Sequence, residues 1–202
     1  MTDTIVPDGP VPGGPVPGGP APGSPVPDGI VPDGKDWTWV LDEACPECGL
    51  DTRGVAPAEV GDRVRAALPG YRAALAAPGA ARRPDPATWS ALEYGCHVRD
   101  VFRIFDERLA LMLRAEDPEF ADWDQDVTAR EDRYDLQGPA VVAAELVDAG
   151  ERIAASWDAV RPDQWDRPAR RGDGSVFTVA TLSRYFLHDV EHHLHDLGVA
   201  PR

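Results

Sequence analysis

The chain is 202 residues long, with 35 acidic side chains against 20 basic ones and a formal net charge of −15. That length accommodates one ordinary domain plus a further segment. The acidic balance excludes the basic footprint that nucleic acid or an anionic membrane surface requires. Three cysteines cannot pair completely, which excludes a disulfide scaffold and points to a reducing, cytoplasmic setting. The first basic residue is Lys35 and no apolar run of about 18 residues occurs, so neither a signal peptide nor a membrane-spanning helix is expected.

Residues 1–35 stand apart from the rest. The first 34 hold ten of the 21 prolines and eight of the 19 glycines, and Val11-Pro12-Gly13-Gly14-Pro15 is repeated as Val16-Pro17-Gly18-Gly19-Pro20. Proline removes backbone donors, glycine is entropically costly to order, and few apolar side chains offset either cost. The segment is therefore expected to be a disordered Pro/Gly-rich tail. Glycine does not fall at every third position, so it is not collagen-like. Residues 36–202 are expected to form the folded domain.

That domain reads as helical. Over 58–77, Val60, Val64, Leu68, Tyr71 and Leu75 recur at helical spacing, with Pro69 expected to kink or split the pattern. A second helix is expected from an N-cap at Thr88 to about Arg114, with a stripe of Leu92, Cys96 (or Gly95), Phe102, Phe105, Leu109 and Met112. A long connection follows, from about Ala115 to Gly138, and contains Trp123-Asp124-Gln125-Asp126. It fits a crossover or a functional loop, with Asp124 and Asp126 as candidates for a cationic group or second metal, or else a solvated loop. A third helix begins near Pro139 and carries Val142, Leu146, Ala149, Ile153 and Trp157. A fourth runs from Thr178 to Gly198 with Val179, Leu182, Phe186, Val190 and Leu197 on its apolar face. Extended character is confined to pieces such as Trp37–Leu41 and Ser175–Val179. Four amphipathic helices bury their stripes most economically as an all-α four-helix bundle.

Chemistry concentrates in the histidines. Four of the five, His188, His192, His193 and His195, fall within eight residues. On an ideal helix His188 and His192 lie about 40° apart, so two imidazoles can reach one metal ion. His97, on the second helix, can face that pair across a bundle. Three neutral imidazoles leave coordination positions open, which suits a catalytic zinc or nickel ion rather than a closed structural one. His193 and His195 are accounted for by the negative end of the helix dipole. His188 through His192 also spells H-x-x-E-H, which makes Glu191 a general-base candidate for metal-dependent hydrolysis. Cys45-Pro46-Glu47-Cys48 is a single C-x-x-C. Its thiols can close a metal site with distant histidines, form a redox-sensitive turn, or sit reduced in a turn packed on the bundle. Cys96 reads as a small core residue. No nucleophile elbow, P-loop or dinucleotide fingerprint occurs.

Several stretches carry a family resemblance from Asp36 to Leu197. They are Asp36-Trp37-Thr38-Trp39-Val40-Leu41, Cys45-Pro46-Glu47-Cys48-Gly49, Glu93-Tyr94-Gly95-Cys96-His97-Val98-Arg99-Asp100, Trp123-Asp124-Gln125-Asp126, Asp173-Gly174-Ser175-Val176-Phe177-Thr178 and Tyr185-Phe186-Leu187-His188-Asp189-Val190-Glu191-His192-His193. The chain resembles actinobacterial DinB-like proteins, four-helix-bundle relatives of the mycothiol-dependent maleylpyruvate isomerases. The resemblance implies a divalent metal held by His97, His188 and His192. It also implies a low-molecular-weight thiol such as mycothiol as co-substrate, a small-molecule substrate and a thiol S-transferase or isomerase activity, with room for a homodimer. A non-catalytic metal-binding stress or accessory protein is the alternative, and a metal-dependent hydrolase a third reading, because a shared fold does not fix a reaction.

Overall fold

The computed structural model describes Ile30 and residues 36–199. The expectation of a disordered tail over 1–35 therefore falls, Ile30 apart, outside the described residues. Four long helices form the body: α1 Val60–Ala76, α2 Ala91–Arg114, α4 Pro139–Asp158 and α5 Val179–Asp196, with a short α3, Gln125–Glu131, between α2 and α4. The bundle expected from the apolar stripes is present. α4 packs along α1 and α2, and α5 lies against α1 and α2. Tyr71, Leu92, Phe102, Phe105, Leu146, Trp157 and Phe186 are fully buried where the stripes meet.

Local chemistry sets the helix ends. The N-cap of α2 is Ser90 rather than Thr88, because Ser90 and Glu93 satisfy each other's backbone N–H groups as a capping box. Arg83 pairs with the same Glu93 carboxylate and closes this end of the helix. Pro69 does not split α1, which is one helix with Pro69 inside it. Residues on both sides of the proline, Leu68 and Tyr71 among them, are buried, and the Tyr71 hydroxyl donates to the Val190 carbonyl at 2.6 Å. Burial on both flanks offsets a helix penalty of about 3 kcal/mol. α4 begins at Pro139, as its sequence indicates, and Leu197 and Gly198, the latter at φ +68°, end α5.

A small sheet was not foreseen. β1 (Glu119–Phe120) pairs parallel with β2 (Pro168–Arg171), and β2 pairs antiparallel with β3 (Val176–Thr178). Strand β3 coincides with the extended piece expected at Ser175–Val179 and leads directly into α5. There Thr178 caps the helix by accepting from the Thr181 N–H at 3.1 Å. The long connection after α2 is ordered by β1 and α3, and Asp124 is the N-cap of α3, accepting from the Val127 N–H at 2.8 Å.

Residues 36–55 lie against the bundle. Trp37–Leu41 is a 3-10 turn, not a strand, because Asp36 caps it and holds it coiled. The Thr52 hydroxyl donates to the Val40 carbonyl, and Arg184 of α5 donates to the Val55 carbonyl at 3.1 Å. These bonds bring the Cys45–Cys48 turn onto the last helix.

Candidate metal centre

α5 presents two pairs of ligating side chains, His188 with His192 and Asp189 with His193. Each pair is spaced i, i+4, and the pairs are offset by one residue, a rotation of about 100° around the helix. Each therefore faces a different neighbour.

The Asp189 and His193 pair faces α2. Both His97 Nε2 and His193 Nε2 lie 3.2 Å from Asp189 Oδ1. One ligating atom from each of the three residues lies within 4.8 Å of the others. His193 Nδ1 lies 2.8 Å from Asp196, which orients the ring with Nε2 toward the cluster. The His97 ring is fully buried, stacks on Trp123 at 5.5 Å and touches Trp89 at the same separation. Its Nδ1 has no hydrogen-bond partner. Burial alone would raise the Asp189 carboxyl pKa, but His97 and His193 hold it well below the ordinary carboxylate range. Burial would lower the His193 pKa, yet its bonds to Asp189 and Asp196 raise it to about 9.

The His188 and His192 pair faces the N-terminal segment. It meets Cys45 and Cys48, and one atom from each of the four lies within 4.8 Å of the others. Cys45 Sγ is 3.6 Å from His192 Nδ1, and Trp37 covers both imidazoles at 5.5 and 5.3 Å between ring centroids. Burial, then the neighbouring His192, lowers the His188 pKa to about 4, and burial lowers that of His192. Burial pushes the Cys48 thiol up to about 11.

A cavity of about 340 Å³ opens beside both clusters. Asp189 and His193 form part of its wall, with His188, His192 and Asp196 along the same helix. Trp37, Trp89 and Tyr94 supply aromatic surface, Glu47 and Asp126 add carboxylates, and Ile30 is buried against it. No lysine or arginine lines it among the described residues.

The family model of the DinB superfamily matches residues 61–198. The chain belongs to the DinB superfamily. Its fold is similar to that of YfiT from Bacillus subtilis, described as a probable metal-dependent hydrolase with an unusual four-helix bundle topology. That likeness has a TM-score of 0.55 and 18% identity, over 80% of this chain and 83% of that one. No curated protein matches the chain.

Within this DinB bundle the histidines expected together are divided. His97 joins Asp189 and His193, whereas His188 and His192 join the two cysteines. Reading from the sequence missed Asp189 and assigned His193 only to the helix dipole. The available signal was the doubled i, i+4 spacing in His188-Asp189-Val190-Glu191-His192-His193. Glu191 is not placed as a general base. Its carboxylate takes two hydrogen bonds from Arg63 of α1, at 2.7 and 2.6 Å, and it does not line the cavity. Its position one residue before His192 turns it toward α1. His195 is half exposed and lies 3.8 Å from Asp196, in keeping with a helix-end role. Cys96 is a core residue, fully buried in the bundle.

Proposed function

We propose that this protein is a metal-dependent enzyme whose centre is held by His97, Asp189 and His193 and acts on a small molecule in the adjoining cavity. The observation that carries this reading is the convergence of buried His97 from α2 with Asp189 and His193 of α5, the latter two on the cavity wall. The donors suit a divalent ion such as zinc or nickel, and the Asp196-held His193 is a feature of a site built around ligands. When bound, the ion supplies Lewis acidity that lowers the pKa of a water or thiol.

The chain's own residues do the rest. Asp196 orients His193, and Trp123 and Trp89 clamp the His97 ring. Trp37, Trp89 and Tyr94 exclude water and bind apolar substrate surface. Glu47 and Asp126 make the cavity favour neutral or cationic substrates over anionic ones, which disfavours maleylpyruvate itself. The reaction we favour is transfer or isomerisation with a mycothiol-type thiol, supported by the resemblance to mycothiol-dependent proteins. Hydrolysis is the second reading, favoured by the description of YfiT.

The test loads the purified protein with zinc or nickel and supplies electrophiles with a low-molecular-weight thiol, and esters and amides without one. Metal-dependent thiol consumption that disappears in His97→Ala and Asp189→Asn is the expected result. Turnover only without thiol establishes hydrolysis. Full metal occupancy without turnover in either assay assigns an accessory role instead.

A further inference from the structure

We propose that Cys45, Cys48, His188 and His192 form a second, closed zinc site, separate from the centre at His97, that fastens the N-terminal segment to α5. The proposal goes beyond the catalytic reading and rests on a different set of side chains. Its first support is convergence: two thiols and two imidazoles, separated by up to 147 residues in sequence, bring their ligating atoms within 4.8 Å of one another. Its second is the pattern, C-x-x-C from a turn and H-x-x-x-H from a helix, which is the four-ligand arrangement of structural zinc. The third is an unmet bonding demand, since His188 Nε2 is buried with no hydrogen-bond partner.

The turn that presents the thiols is already shaped. Gly49 N–H donates to the Cys45 carbonyl at 2.8 Å and Cys45 N–H to the Leu50 carbonyl at 2.9 Å. Gly49 sits at φ +77°, where a side chain would be strained. Both cysteines are unpaired as disulfides, and Cys45 is buried. On binding, both thiols lose their protons to solvent and the two thiolates neutralise the dication, so the filled site carries no net charge into a buried setting. Thiolate donors select zinc over harder cations. Trp37, lying over both imidazoles, shields the site. Four protein donors leave no open position, so the site is structural. Its role is to hold Trp37 and Glu47 where they wall the cavity.

The experiment uses the full chain purified with zinc under reducing conditions. Elemental analysis compares the parent with Cys48→Ser and His97→Ala. Cys48→Ser loses about one zinc per chain while the other centre keeps its metal, and His97→Ala shows the reverse loss. Cobalt substitution gives a sulfur-to-cobalt charge-transfer band in the parent and in His97→Ala, absent from Cys48→Ser. A measurement on the parent alone covers the case in which a variant fails to fold. Cys45 and Cys48 resist a thiol reagent until a chelator is added, and then react as zinc is released, with a fall in unfolding temperature. Thiols that react freely in the zinc-loaded protein, a cobalt spectrum without a sulfur band, or zinc release with no change in unfolding temperature would each overturn the proposal. A parent protein that holds zinc at the cysteine site and none at the His97 centre would count against the catalytic reading only.

Discussion

The two ligand clusters share one helix and border one cavity, and they differ in their donors. Cys45, Cys48, His188 and His192 offer four donors, two of them soft sulfurs, from a tight turn and one face of α5. His97, Asp189 and His193 offer three hard or borderline donors from α2 and the next face of α5, with the cavity on one side. A closed set of four favours holding, and an open set of three leaves room for a reactant. The contrast teaches that a rotation of one residue along a helix is enough to turn two ligand pairs toward different neighbours. It also explains the crowding of histidines near the end of α5, since each face needs its own i, i+4 pair.

The sharpest way to break the comparison is to disable one side. His97→Ala removes a fully buried ligand of the open cluster and should abolish turnover while leaving the cysteine cluster and its thiol protection unchanged. Metal analysis together with thiol titration checks this. Asp196→Asn is the next largest. Asp196 touches no ion in this scheme, but it accepts the hydrogen bond that fixes His193, and such outer partners typically matter by about 10–100-fold in metal affinity or activity. Competition with a chelator measures the affinity, and an unchanged value would show that His193 needs no orienting partner.

Much of the bundle was legible because its signal is periodic and long. The stripe from Val142 to Trp157 marks α4, and all five of its named residues are buried. The sheet was not legible, since strands of two to four residues are too short for alternation to show. Neither was the division of the histidines. Spacing shows that His188 and His192 share a face, but the rotation of α5 about its axis decides which pair meets α2. That rotation is set by Val190, Leu194 and Phe186 seating in the core. The thiols' partners lie too far along the chain for any local pattern to name them. The split that Pro69 allowed is absent for the same reason: a local penalty was outweighed by burial that only the fold creates.

Two substitutions act on the scaffold. Gly150 on α4 is a point of close helix approach, and a Cβ there would lie 2.5 Å from Leu68 Cδ2 and 2.9 Å from Phe102 Cε2. Gly150→Ala should destabilise by about 1–3 kcal/mol through overpacking. It should leave the metal stoichiometry of both clusters unchanged, as denaturant unfolding and elemental analysis would show. Asp100 supports α2 one turn beyond His97. It accepts two hydrogen bonds from Arg99 at 2.9 Å and one from the Tyr134 hydroxyl at 2.7 Å. Burial would raise its pKa, but these partners hold it below the ordinary value. The stabilisation is therefore fully present above the unfolded carboxylate value of about 4 and is lost as pH falls through the lower folded value. Asp100→Asn should remove that acid-side dependence and cost about 1–3 kcal/mol at neutral pH, measured as unfolding free energy against pH.

The smallest expected effect belongs to Glu191, and it bears most directly on where acid–base work is done. Glu191 lies between His188 and His192 in the sequence, yet its two oxygens are engaged by Arg63, whose side chain is about one-third exposed. An ion pair in that setting is screened by solvent and contributes roughly 0.2–1 kcal/mol. Glu191→Gln keeps the shape and one of the two acceptor oxygens, so metal content and turnover should match the parent and the unfolding midpoint should move only slightly. A steep fall in turnover with both metals retained would mean that Glu191 leaves Arg63 during the reaction. Proton transfer would then belong to the α1 side of α5, and the division between a fastening face and a reacting face would have to be redrawn.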